Sequence, residues 1–174
     1  MKNGFIIYTD GSSRGNPGPG GWGVIIIENN NDSSKQLVVS SKVKEMGGRE
    51  SRTTNNRMEM RAVIEALKFL SRTVLDTNIE VEVHIDSEYV MKGATLWIKN
   101  WLKNNWKTKN KKPVLNQDLW QELLFQMEAR KVSWKKVLGH SGHKYNERCD
   151  AIATSFADAE KIKLYDGEKS LYKI

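Results

Sequence analysis

At residue 56 the spacing of apolar side chains changes from every second residue to every third and fourth, and at residue 79 it changes back. Glu59, Ala62, Val63, Ala66 and Leu70 share one helical face, with Met60, Ile64 and Leu67 beside it, and Asn56 is the expected N-cap. Val81, Val83 and Ile85 then alternate with Glu80, Glu82 and His84, which leaves His84 on the outward side of a strand. A chain that switches period in this way must build sheet and helix around a shared core.

Upstream of the first switch, residues 5–9, 22–28 and 36–43 read as three strands in an antiparallel meander. Residues 11–21, rich in Gly, Pro, Ser and Asn, read as loop, and so does the polar, Gly-containing stretch 44–54. Downstream, 87–93 predicts a short helix and 96–105 another, with Trp97 and Trp101 one turn apart. Trp120, Leu123, Leu124 and Met127 form a further helical stripe, 131–138 a strand, and 147–160 a last helix. Three strands followed by alternating helix and strand indicate an α/β domain with a mixed sheet. A length of 174 residues suits one such domain.

The net charge of +7 has a single source. Between Tyr89 and Gln117 there is no acidic residue and there are seven lysines: Lys92, Lys99, Lys103, Lys107, Lys109, Lys111 and Lys112. Without those seven, the 28 Lys and Arg fall to 21, equal to the 21 Asp and Glu. A basic patch this local is either a solvated face or a surface for phosphates, and its separation from every carboxylate favours phosphates. Cys149 is the only cysteine, so no intrachain disulfide can form. The first residues hold too short an apolar run for a signal-peptide core, and nothing has the length of a membrane span. The expected setting is cytoplasmic, with no membrane partner.

Four carboxylates occupy positions where chemistry is expected in such a sheet. Asp10 and Asp86 end strands, where ligands of open α/β sheets bind. Each acidic residue also has a structural explanation. Asp10 before Gly11 is a turn pair, and Glu59 three residues after Asn56 completes a capping arrangement. Asp86 can cap the next helix, and Asp150 suits the start of another. Brought together, however, the four would repel one another and raise their own pKa values. A divalent cation relieves that repulsion, and oxygen ligands suit Mg²⁺, with Mn²⁺ as substitute. Two such ions can clamp the attacking water and the leaving oxygen of a phosphodiester.

Rival motifs fail on context. Gly18, Gly20 and Gly23 match G-x-G-x-x-G but precede a strand instead of opening a helix, and no G-K-[ST] is present. His140, His143 and Cys149 lack the second cysteine pair of a structural zinc site.

The segments YTDGSSRGNPGPGGWG (8–23), RTTNNRMEM (52–60), HIDSEYV (84–90), WIKNW with WKTKNKKPV (97–114) and GHSGHKYNERCD (139–150) resemble type 1 ribonuclease H, in that family's order, over nearly all of residues 4–157. The resemblance is to the bacterial form. It implies a five-stranded mixed sheet, its first three strands antiparallel, flanked by helices. It further implies a catalytic domain over 1–160 with a basic handle at about 96–114. A tail at 161–174 is left without a role. By the same resemblance Asp10, Glu59, Asp86 and Asp150 are the metal-binding carboxylates and His140 assists proton transfer or product release; otherwise His140 is simply a loop residue.

The implied activity is hydrolysis of the RNA strand of an RNA–DNA hybrid by two Mg²⁺ ions, leaving a 5′-phosphate and a 3′-hydroxyl. Asn16, Asn55 and Glu88 would contact the RNA strand, and Arg52, Thr54 and Asn116 a DNA phosphate. Trp97 and Trp101 would pack on deoxyribose beside Lys99, Lys103, Lys107, Lys109, Lys111 and Lys112. For the Trp pair, simple packing at i, i+4 remains the other reading.

Three departures stand out. Glu88 occupies a position where the family usually has Gln, so it can accept but not donate a hydrogen bond, and its charge near Asp86 could strengthen metal attraction. Ser13 replaces a frequent Cys, and residues 44–51 are longer than the family pattern. A stand-alone monomer is expected, with no preceding hybrid-binding module and no obligate protein partner.

Overall fold

The computed structural model describes residues 4–29, 41–139 and 142–174. Six strands form one mixed sheet: β1 (Gly4–Ser13), β2 (Gly18–Asn29), β3 (Lys42–Thr53), β4 (Glu80–Ile85), β5 (Lys131–Lys136) and β6 (Asp166–Glu168). Their spatial order is β5-β4-β1-β2-β3-β6. β1, β2 and β3 form the expected antiparallel meander, while β4 and β5 run parallel to β1. The helices are α1 (Asn55–Thr73), α2 (Glu88–Lys92), α3 (Ile98–Lys103), α4 (Gln117–Glu128) and α5 (Lys144–Ala157), with a π-helical turn at Gly93–Trp97 between α2 and α3.

Both faces of the sheet are covered, which explains why β2 reads as a continuous apolar run. Ile7, Val24, Ile26, Val81, Val83 and Ile85 face α1 and α4 in the larger core, around Leu67, Leu70 and the wholly buried Trp120. Tyr8, Ile25, Ile27 and Val43 point the other way and pack with Cys149 of α5. At the C-terminal end of α1 the buried Arg130 donates to Val74 O at 2.6 Å and to Leu70 O at 2.7 Å, the latter already accepting from Val74 N at 2.9 Å. Among the described residues no helix is long and apolar enough to cross a membrane.

Several local expectations are corrected. The sheet has six strands, because part of the tail adds β6 to the edge of β3. Residues 44–53 are strand and not loop. Their polarity concealed this: Glu45 is buried, Gly47 lies under Phe156 and Ile152, and Gly48 lies under the Trp22 ring, so the apolar partners come from elsewhere. The strand expected at 36–43 lies outside the described residues except for its last positions, of which 42–43 begin β3.

Strand pairing also runs through most of the glycine-rich stretch 11–21, where Gly11↔Trp22 and Ser13↔Gly20 are in register. The N-cap of α1 is Thr54, whose Oγ1 accepts from Arg57 N, and not Asn56. His84 is buried, because Tyr8 packs 4.5 Å from its ring on the second covered face. The segment 96–105 begins as the π turn before becoming α3.

α5 lies directly on the backbone of β2. A Cβ at Gly23 would stand 2.3 Å from the Cys149 carbonyl oxygen, closer than any real contact. Gly23→Ala should therefore lift α5 from the sheet and cost about 1–3 kcal/mol. Urea unfolding would register this as a lower midpoint with an unchanged slope; an unchanged midpoint would contradict it.

Candidate active site

β1 and β4 are parallel and paired as far as Thr9↔Ile85, so the next residues, Asp10 and Asp86, emerge side by side. α1 then passes so close to β1 that a Cβ on Gly11 would fall 2.2 Å from Glu59 N. That approach brings Glu59 to Asp10. α5 supplies Asp150 from the opposite side of the sheet. Asp10, Gly11, Asn55, Glu59, Asp86, Ser87, Gly139 and Asp150 together line a recess of about 360 Å³. A larger recess of about 570 Å³ lies at the tail, away from these carboxylates.

Neighbouring groups aim most of the carboxylates. Asp10 Oδ1 accepts from Gly11 N at 2.7 Å. Glu59 is held by Asn55 Nδ2 at 3.3 Å and by a short bond from Ser87 Oγ, the hydroxyl that also caps α2. Asn146, a buried residue of α5, donates from Nδ2 to Asp86 Oδ2 at 3.2 Å, and Thr154 Oγ1 lies 3.4 Å from Asp150 Oδ1.

Burial, followed by the nearby charge of Asp86, pushes Asp10 up to about 8 despite the Gly11 amide. Glu59 is also raised by burial, against the opposing Ser87 hydrogen bond and with a contribution from Asp86. Among the described residues no three such side chains are closed into a ready-made metal cage, although the four share one recess.

The other expected site residues fall into three groups. Thr54 and Asn116 are joined by Arg57, whose backbone N–H donates to Thr54 Oγ1 and whose Nη1 lies 3.4 Å from Asn116 Oδ1. Asp118 fixes that guanidinium through two bonds of 3.0 and 2.7 Å. Tyr89 OH accepts from Asn116 Nδ2, which stabilises Asn116 in a left-handed conformation at the start of α4. Arg52 is exposed at the end of β3.

Trp97 and Trp101 line a separate recess of about 370 Å³ with Asn100, Asn104, Lys107, Thr108 and Lys109. Trp101 also packs 5.3 Å from the Trp120 ring, so it serves both packing and surface. Lys99, Lys103, Lys107, Lys109, Lys111 and Lys112 are all exposed. Asn16 is exposed in the β1–β2 turn and does not line the carboxylate recess, whereas Asn55 does.

Glu88 differs from expectation. Lys136 and Lys92 engage its two oxygens, the latter at 2.6 Å, and hold it down at about 2. Both oxygens are thus engaged by lysines, a pairing the sequence did not indicate. His140 lies outside the described residues. Ser87, Asn146 and Arg57 were not singled out from the sequence, although all three sit inside the motif segments. Their polarity was the available signal, but only the fold shows which carboxylate or amide each one aims.

With this geometry in view, comparison with known proteins is direct. The sequence profile of the RNase H family matches residues 2–158. A ribonuclease H of Cyanothece is 49% identical over 158 residues, 91% of this chain and 92% of that protein. One of Alcanivorax borkumensis is 48% identical over 163 residues, 94% of this chain and 97% of that protein. Among solved structures, LC9-RNase H1, described as a type 1 enzyme with the type 2 active-site motif, superposes with a TM-score of 0.78 at 31% identity. That match covers 95% of this chain and 78% of the other. LC11-RNase H1 in complex with an RNA/DNA hybrid gives 0.60 at 27% identity, over 89% and 97% of the two chains. A carboxylate recess between β1, β4, α1 and α5, with a basic aromatic extension beside it, is thus carried by a chain that belongs to the ribonuclease H family.

Proposed function

We propose that the protein is an endoribonuclease that hydrolyses the RNA strand of RNA–DNA hybrids with two Mg²⁺ ions, leaving a 5′-phosphate and a 3′-hydroxyl. The observation that carries this reading is the convergence of Asp10, Glu59, Asp86 and Asp150 on one recess. The donor set fits the ions: it consists of hard carboxylate oxygens, and burial, with the nearby charge of Asp86, opposes ionisation of Asp10 and Glu59 while no cation is present. Bound there, two divalent cations would polarise the attacking water and stabilise the departing oxygen.

The chain's own residues do the rest. Asn55 and Ser87 orient Glu59, and Asn146 orients Asp86, so these carboxylates are aimed before any ion arrives. Thr54, Asn116 and Arg52 are read as the grip on a DNA phosphate, with Arg57 bracing the first two. Trp97, Trp101 and the six handle lysines are read as the surface for the DNA strand, where flat rings pack on deoxyribose and a 2′-hydroxyl would be crowded. Asn16, Asn55 and Glu88 are assigned to the RNA strand. The catalytic unit is read as residues 1–160, and the enzyme as a cytoplasmic monomer.

The direct test is cleavage of an end-labelled hybrid, with matched single- and double-stranded RNA and DNA as controls. Metal-dependent cutting of RNA in the hybrid alone, abolished by EDTA and by Asp10→Asn, is expected. Tight hybrid binding without cutting in either Mg²⁺ or Mn²⁺ would instead indicate a binding module.

Two further outcomes follow from the electrostatics. An acid whose folded pKa is raised costs nothing below its unfolded value, near 4, and costs progressively more as pH rises to about 8. In EDTA, Asp10→Asn should therefore melt above the wild type, with a gain that grows from pH 4 to pH 8 and vanishes below it. Calorimetric scans across that range would reveal a pH-independent difference if the idea is wrong. For the handle, replacing Lys107 and Lys109 by Ala should lower the steepness of log Kd against log salt by about one per lysine. An unchanged slope would make them a solvated face.

A further inference from the structure

Three of the sheet positions beneath α5 are glycines. A Cβ at Gly21, Gly23 or Gly47 would lie 2.3 Å from Ala153 O, Cys149 O or the Phe156 ring. Backbone approaches α5 closely here, but the side-chain ridges that normally interlock a helix with its support are missing at these points. At these points the position of the helix along and about its own axis relies on the side chains packed around Cys149 and on polar attachments at its flanks.

The principal polar attachment is on the residue just before Cys149. Glu45 of β3 has a wholly buried side chain and accepts four hydrogen bonds. Arg148 Nε and Nη2 approach at 2.7 and 2.8 Å, Tyr165 N at 2.9 Å and Tyr172 OH at 2.5 Å. Two of these four donors come from the tail, the part of the chain that the sequence left without a role. Arg148 Nη2 also donates to Lys163 O at 2.8 Å.

The tail is itself held down. β6 pairs with β3, Glu45 N donates to Tyr165 O at 2.7 Å, and the Tyr172 ring stacks parallel to Tyr145 of α5, 6.3 Å away. A buried carboxylate is costly unless its hydrogen bonds are complete, so tail docking and Arg148 geometry are set together.

Arg148 precedes Asp150 by two residues on the same rigid helix. We propose that residues 161–174 form a positioning clamp: through Glu45 and Arg148 they fix α5 on its glycine track and so place Asp150 among the other carboxylates. This rests on the reading of Asp150 as a metal ligand. Glu45, Arg148 and Tyr172 are positioning residues, and none of them lines the carboxylate recess. Buried charged pairs frequently specify one geometry more than they add stability, which is the role assigned here.

The test uses the full-length protein and three variants. Tyr172→Phe removes one donor and keeps the ring. Arg148→Lys keeps the charge but loses the two-point attachment. Glu128→Gln, on the exposed side of α4 and outside both the tail and the recess, serves as control. Mg²⁺ affinity would be measured by calorimetry without nucleic acid, alongside kcat and KM on a hybrid and Tm.

The clamp variants should weaken Mg²⁺ binding roughly 10-fold and lower kcat, with KM for the hybrid little changed and the control like wild type. Clamp variants that lower Tm while Mg²⁺ affinity and kcat stay at wild-type values would make the tail purely structural and overturn the proposal. A wild type that binds Mg²⁺ but cuts no hybrid would remove the functional reading, and the calorimetric comparison would still decide the clamp. A wild type that binds no Mg²⁺ would overturn both.

Discussion

Gly11 has no side chain because the backbone of α1 occupies the place where one would stand, with Glu59 N 2.2 Å from the position of its missing Cβ. This single close approach presses a carboxylate of the first helix against one of the first strand. The parallel pairing of β1 with β4 adds Asp86 to the same spot, and α5 adds Asp150 from the other face. The core on both sides of the sheet holds these elements in place against the repulsion of the acids they carry. Burial, with the charge of Asp86 adding to it, raises Asp10 to about 8. A cation bound as proposed would return that energy by neutralising the charge.

The supports around the recess differ in kind. Next to Glu59 and Asp86 they are neutral: Asn55, Ser87 and Asn146 each donate one hydrogen bond to a carboxylate. Neutral donors aim a carboxylate without competing for the charge that a cation would take. Behind α5 the support is ionic and buried, the Glu45–Arg148 pair with its tyrosines. There the charge lies away from the recess, so it can hold the helix without offering a competing ligand.

The extension beyond α3 follows a different logic. Its lysines are exposed and the sequence around them holds no acid, so their field is directed outward. Trp101, whose ring lies 5.3–6.3 Å from those of Trp97, Trp106 and Trp120, centres an aromatic base under that charge. Gly93 makes room for it, since a Cβ there would stand 1.9 Å from Trp120. Charge and flat rings are thereby presented together, which suits a sugar–phosphate strand.

The α/β class, the first two strands and most helices could be read from the residues, because periodicity is a property of neighbours along the chain, while the grouping of the four carboxylates was implied by the resemblance and not by any one of them. The polar strand 44–53 and the sixth strand could not. Glu45, Gly47 and Gly48 are strand residues only because Arg148, Phe156 and Trp22 arrive from distant segments to cover them. The same holds for buried His84, for Glu88 drawn away by two lysines, and for Arg57 bridging Thr54 to Asn116. In each case the partner is remote in sequence or its approach depends on the packed fold. Local chemistry names which groups are capable of a role, and long-range packing chooses their neighbours, because burial and hydrogen bonding are satisfied in space and not along the chain.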